Sequence, residues 1–226
     1  MKKDLVKAFK LLPYGLSVKS TIVLFVLFLA LGIGQIVLAP FGMGDSYFNT
    51  GAVFIFAAMM FPGQLLLSGD VASFVQTSPY KKKIQVQMQT NLELVASLVG
   101  ITIIVIIYGV HMAMRPENTV ELMKGLLFSG MAMLFIETIN TLLYKYFILS
   151  LIVIYVLTFT YMMLPIAGIK TMNGPVITYI ANTPALAIVV CYVLGIIGAV
   201  GNYLVSSLFY KKEFSKMAYA AALKRN

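Results

Sequence analysis

Cysteine and histidine are nearly absent from this 226-residue chain, which has one of each. A single cysteine, Cys191, cannot close a disulfide within the chain. A single histidine, His111, with no cysteine or carboxylate cluster at ligand spacing, makes no metal site. Both fall inside apolar runs and are read as packing groups. Charge is scarce as well: 11% of residues are charged, 60% are hydrophobic and the mean hydropathy is +0.92. A soluble domain of this length cannot hide so much apolar surface. No G-x-x-x-x-G-K-[S/T] stretch occurs, so the chain carries no P-loop ATPase of its own. The paired Glu and His motifs or Asp pair of an intramembrane protease are also lacking, and no catalytic residue is expected.

What is present is a series of long apolar runs. A helix needs about 20 apolar residues to cross the roughly 30 Å hydrocarbon core. Barrel strands would alternate polar and apolar over about 10 residues, and these runs do not. The fold class is therefore all-α integral membrane, with residues 1–226 forming a single transmembrane domain. Six spans fit: Thr21–Ala39, Gly51–Leu67 (interrupted by Pro62-Gly63), Leu92–Met114, Val120–Leu143, Phe147–Ala167 and Ala185–Phe209. The fourth and fifth are separated by Tyr144-Lys145-Tyr146 alone, and one long helix there is the rival reading.

Charge sets the orientation. With six spans and both termini cytoplasmic, the lysines of the N-terminus, the Lys81–Lys83 cluster, Lys145 and the basic C-terminal tail fall inside, while Arg115, Lys124 and Lys170 fall outside. That places 14 of the 17 basic residues on the cytoplasmic side, a strong positive-inside bias. The net charge of +9 is thereby assigned to topology and membrane lipid, not to nucleic acid.

Three segments outside the spans have a pattern of their own. In residues 1–19, Leu5, Phe9 and Leu12 share one helical face opposite Lys3, Lys7 and Lys10, which predicts an amphipathic interfacial helix. Residues 68–91 read as a short cytoplasmic helix from Asp70, a break at Ser78-Pro79, a lysine cluster and the start of the third span. Residues 168–184 hold two turn signals around apolar Val176–Ala181. That piece is too short to span, and an interfacial or re-entrant path is expected.

Few polar groups lie within the spans. Glu137 shares a helical face with Asn140, Thr141 and Tyr144. A charge in lipid is costly and usually faces a polar interior. Glu137, Asn140 and Thr141 are therefore candidates for a substrate or gating contact, and a structural ion pair between Glu137 and Lys145 or another inner lysine is the competing role. Glu93 is read at the start of the third span, complementing the helix N-terminus and meeting the lysine cluster. Gly195, Gly198 and Gly201 recur every third residue beside Asn202, a face suited to close helix packing.

Together these features resemble the permease subunits of ABC-2 type transporters. Thr77-Ser78-Pro79-Tyr80-Lys81-Lys82-Lys83-Ile84 is similar to that family's short helix, proline and basic run after span two. Phe209-Tyr210-Lys211-Lys212-Glu213-Phe214 is similar to its ending after the last span. The resemblance covers the whole chain, with one departure, the very short connection between spans four and five. It implies a coupling helix seated in a cleft of a separate ABC ATPase subunit, with Asp70, Phe74, Thr77, Pro79, Tyr80 and Lys81 as contacts and Phe74 and Tyr80 as anchors. It further implies a homodimer or heterodimer with a second permease subunit. ATP and Mg would be held by the ATPase, with no cofactor and no enzymatic activity in this chain. The implied role is export of an amphipathic or hydrophobic substrate (antimicrobial peptide, drug or lipid) across a bacterial plasma membrane. The alternatives are the six-span substrate-binding module of a vitamin uptake transporter, with a ligand pocket at the outer ends, and a non-transporting membrane assembly protein.

Overall fold

The computed structural model describes residues 2–11, 18–38, 46–69, 78–140, 142–146, 148, 152–153, 155–156, 174–213, 215–217 and 220. All regular structure among them is helical. The elements are α1 (Lys2–Leu11), α2 (Val18–Leu38), α3 (Ser46–Gly69), a π-helical turn (Lys83–Met88) leading into α4 (Gln89–Met114), a 3-10 turn (Pro116–Asn118), α5 (Thr119–Asn140), α6 (Leu142–Lys145), α7 (Pro175–Ala181) and α8 (Pro184–Phe209).

Four stretches are long and apolar enough to cross a membrane: Val18–Leu38, Lys83–Met114, Pro116–Asn140 and Pro184–Phe209. The 26 residues of α8 extend about 39 Å, more than the hydrocarbon thickness. Helix α3 adds a shorter apolar stretch, Gly51–Gly63. The chain is a multi-pass helical membrane protein. The predicted fifth span, Phe147–Ala167, falls mostly outside the described residues, of which 148, 152, 153, 155 and 156 are helical.

Local sequence accounts for the helix ends. Arg115 leaves the helical region at φ −141°, ψ 77°, as a residue before proline tends to do, and Pro116 opens the 3-10 turn. Pro175 and Pro184 stand at the first positions of α7 and α8, where a missing N–H costs nothing. Pro62 behaves differently from its predicted role as an interruption. Helix α3 runs through it from Ser46 to Gly69, since helices in lipid tolerate proline when neighbours re-satisfy the freed carbonyl. The third span also begins earlier than predicted. Ser78 Oγ accepts the Tyr80 N–H at 3.1 Å, Ile84 N–H reaches the Tyr80 carbonyl at 3.0 Å, and the helix continues without a break into α4.

Helices α2 and α3 pack antiparallel through two glycines. A Cβ on Gly32 would lie 2.7 Å from the Gly51 carbonyl oxygen, and a Cβ on Gly51 2.7 Å from that of Gly32. Only glycine permits this approach. Helix α3 leans on α4 and α5, and α5 makes its most extensive contact with α8. Near Arg115 the centre is apolar, built from Ile36, Ile55, Phe56, Ile101, Ile104, Tyr108, Leu122 and Leu126. There the buried His111 bonds through Nε2 to the Ile36 carbonyl at 3.0 Å, joining α4 to the end of α2. Helix α7 lies across α5 and α8, with Ala181 buried.

The opposite end is basic. Lys145 Nζ donates to the Lys212 carbonyl at 2.6 Å, Lys82 Nζ lies 5.5 Å from the Tyr210 ring, and Lys212 Nζ lies 3.2 Å from that of Tyr146. Helix α1 docks at this end, where Leu11 and Ile84 pack on Leu66, Met88 and Leu92. Val6 and Phe9 of α1 remain exposed, as do Ile22, Val23, Val26 and Leu27 of α2 and Val189, Val193, Ile196 and Val200 of α8. Such apolar stripes face lipid in a membrane-spanning bundle.

Candidate functional site: a buried polar cluster around two carboxylates

The π-helical turn and the first turns of α4 carry a polar stripe. Gln85, Gln89, Glu93 and Ser97 recur every fourth residue, so they share one helical face. All four are buried. That face meets α5 and α8 at the basic half of the bundle, and Glu93 is its centre. Gln89 Nε2 donates to Glu93 Oε1 at 3.1 Å, Asn140 Nδ2 of α5 donates to the same oxygen, and Asn202 Nδ2 of α8 donates to Oε2. Ser206 Oγ donates in turn to Asn202 Oδ1 at 3.2 Å, and Ser97 Oγ to the Glu93 carbonyl at 2.8 Å. One carboxylate thus pins three helices with hydrogen bonds from amide side chains, the strong, charge-assisted kind. The expectation for Glu93 is corrected here. It sits some three turns inside a helix that begins near Lys81, and its partners are amides of its own and the neighbouring helices, not lysines.

Glu137 has the opposite surroundings. It is 3% exposed, and neither carboxylate oxygen has a hydrogen-bond partner among the described residues. Burial is therefore as deep as for Glu93, but no amide among the described residues comes to it. The ion pair with Lys145 does not form. Lys145 is buried one helix turn or more toward the basic end, where Nζ donates to Gln85 Oε1 at 3.4 Å and to the Lys212 carbonyl.

A cavity lies between the two acids, lined by Phe56, Met59, Met60, Glu93, Ser97, Met133, Ile136, Glu137 and Asn140. The space between atoms there, its open side included, is about 270 Å³, with room for about one water-sized sphere. The predicted pair Glu137 and Asn140 both line it, and Thr141 lies outside the described residues. The glycines of α8 hold this corner closed. A Cβ on Gly198 would overlap Glu137 Oε2 and stand 3.1 Å from Leu134 Cα. Gly201 faces Thr138, and Gly195 faces Ile101. Cys191 is buried against Gly130, with Sγ 3.7 Å from the Leu126 carbonyl.

Of the predicted ATPase contacts, Asp70, Phe74 and Thr77 lie outside the described residues. Pro79 and Tyr80 are exposed at the surface of the basic end, and Lys81 is half-buried. Sequence reasoning missed Gln85, Gln89, Ser97 and Ser206. The four-residue spacing along α4 and the Asn202–Ser206 pair were the available signals.

The fold and this site define a multi-pass helical membrane protein with a buried acidic and amide cluster in its bundle. In comparisons with protein-family models, curated proteins and solved structures, nothing matches the chain.

Proposed function

We propose that this chain is the permease subunit of an ATP-driven ABC-2 type exporter, energised by a separate ATPase and carrying an amphipathic or hydrophobic substrate. In this reading six spans cross the membrane, with both termini and the basic end in the cytoplasm. The observation that carries it is the continuity between an exposed turn and the buried cluster. Tyr80 is 66% exposed at the tip of the Ser78–Tyr80 turn. From Lys83 the helix runs unbroken for about 15 Å to Glu93, and Glu93 holds α5 and α8 through Asn140 and Asn202. A rigid rod that starts at a protein-docking turn and ends on a three-helix clamp transmits displacement from a partner to the bundle. Helix α1 braces the same rod through Leu11 and Ile84.

A polar cavity lies in the same half of the bundle as this clamp. It is lined by Glu93, Glu137 and Asn140, on the basic side of the apolar core. Co-purification with a candidate ATPase subunit tests the proposal. Deleting residues 70–83 should abolish association and substrate-stimulated ATP hydrolysis. Undiminished association, or tight binding of a vitamin by this chain alone, would sink it.

A further inference from the structure

We propose that the cavity beside Glu137 binds a small monovalent cation in direct contact with the Glu137 carboxylate. The cation site is independent of the export reading; a cargo's ammonium end as its occupant rests on that reading. A carboxylate buried in a bundle core without a counter-charge is strongly destabilising, and removing one partner of a buried pair exposes that cost. Glu137 is in that position among the described residues, with two unpartnered oxygens and only 3% exposure. The basic groups nearest in chain order are engaged elsewhere: Lys145 by Gln85 and the Lys212 carbonyl, and Lys124 by Glu121 at 3.2 Å. Glu93 adds negative charge nearby while its own oxygens are occupied by three amides.

The donors around the cavity point to the class of ligand. Besides Glu137, Asn140 Oδ1 is fully buried and has no partner among the described residues. Ser97 gives its hydrogen to the Glu93 carbonyl, which leaves its oxygen lone pairs free to accept. These are hard oxygen donors, which suit alkali or ammonium ions and not soft or borderline transition metals. Among the described residues no three His, Cys, Asp or Glu side chains converge as a metal group. Glu137 is the one cavity-lining carboxylate whose oxygens have no partner among the described residues, while those of Glu93 are taken up by three amides, so a single positive charge balances the site. The shared chemistry is one positive charge on a water-sized group. A free alkali ion supplies it, and so does the primary ammonium end of an amphipathic cargo molecule.

The test uses the full chain purified in uncharged detergent. Thermal unfolding is followed in equal concentrations of sodium, potassium, butylammonium and N-methylglucamine chloride, the last too bulky for the cavity. Saturable stabilisation of several degrees by at least one of the first three, relative to N-methylglucamine, is expected. Stabilisation by an alkali ion alone assigns a free ion, and stabilisation by butylammonium alone assigns the cargo's ammonium end. Glu137→Gln should remove the effect while unfolding no earlier than the wild type in N-methylglucamine. Ser97→Ala should raise the half-maximal cation concentration severalfold. Identical unfolding of the wild type in all four salts overturns the proposal, as does an effect of full size retained in Glu137→Gln.

Discussion

Helices α4, α5 and α8 meet twice, in two different ways. Toward Arg115 they meet through Ile101, Ile104, Leu122, Leu126 and Cys191, an apolar interior with few specific bonds. Toward the lysines they meet through Gln89, Glu93, Glu137, Asn140 and Asn202. Lipid tails are as apolar as leucine, so the first contact holds by shape alone and tolerates sliding. The second has donors and acceptors at defined heights. A shift of one residue along any helix would strip Glu93 of an amide partner. The apolar half therefore lets the helices associate, and the polar half sets their register.

The largest effect should come from breaking the polar half at its centre. Glu93→Ala removes the three hydrogen bonds that Gln89, Asn140 and Asn202 donate and deprives these buried amides of that acceptor, a loss of about 3 kcal/mol. Reversible unfolding in mixed micelles measures it, and Glu93→Gln should lose less. Next comes a change in the apolar half, at the α2–α3 contact. Gly51→Val places branched atoms where a Cβ already lies 2.7 Å from a carbonyl oxygen, and about 2 kcal/mol should be lost as the two helices separate. A loss below that of an ordinary surface substitution would show that the helices part at little cost. Gly198→Ala crowds both halves at once, pressing on Glu137 and on the α5 backbone at Leu134. About 1 kcal/mol is expected, read by the same unfolding assay. The smallest effect on stability belongs to Tyr80→Ala, within about 0.5 kcal/mol, because the side chain is exposed. On the proposed function, that variant should still weaken ATPase association about tenfold, as loss of an aromatic anchor does. Unchanged association would remove Tyr80 from the docking surface.

The apolar half was legible in outline from hydropathy, since runs of about 20 apolar residues have one stable form in lipid. The boundaries of α5 and α8 fall within a few residues of those expected, because Pro116 and Pro184 mark their starts. Pro62 misled for the same reason that proline usually informs: it breaks helices in water, but in α3 the helix passes through it. The polar half was legible only in part. Glu137 and Asn140 stand out as a polar pair inside a span. Glu93 looked like a helix-end residue because Lys83 to Asn91 reads as surface. Its polar residues in fact alternate between exposed Gln87 and buried Gln85 and Gln89.

Composition and hydropathy by themselves determined that this chain is a helical, multi-pass membrane protein, because solvation in lipid depends on how many apolar residues run together. Only the tertiary structure decided which of two equally buried glutamates is satisfied. Asn140 and Asn202 lie 47 and 109 residues from Glu93 along the chain, and packing of α5 and α8 directs both amides to it. Glu137 receives none among the described residues, where Gly198 brings the α8 backbone against its carboxylate in place of a donor side chain.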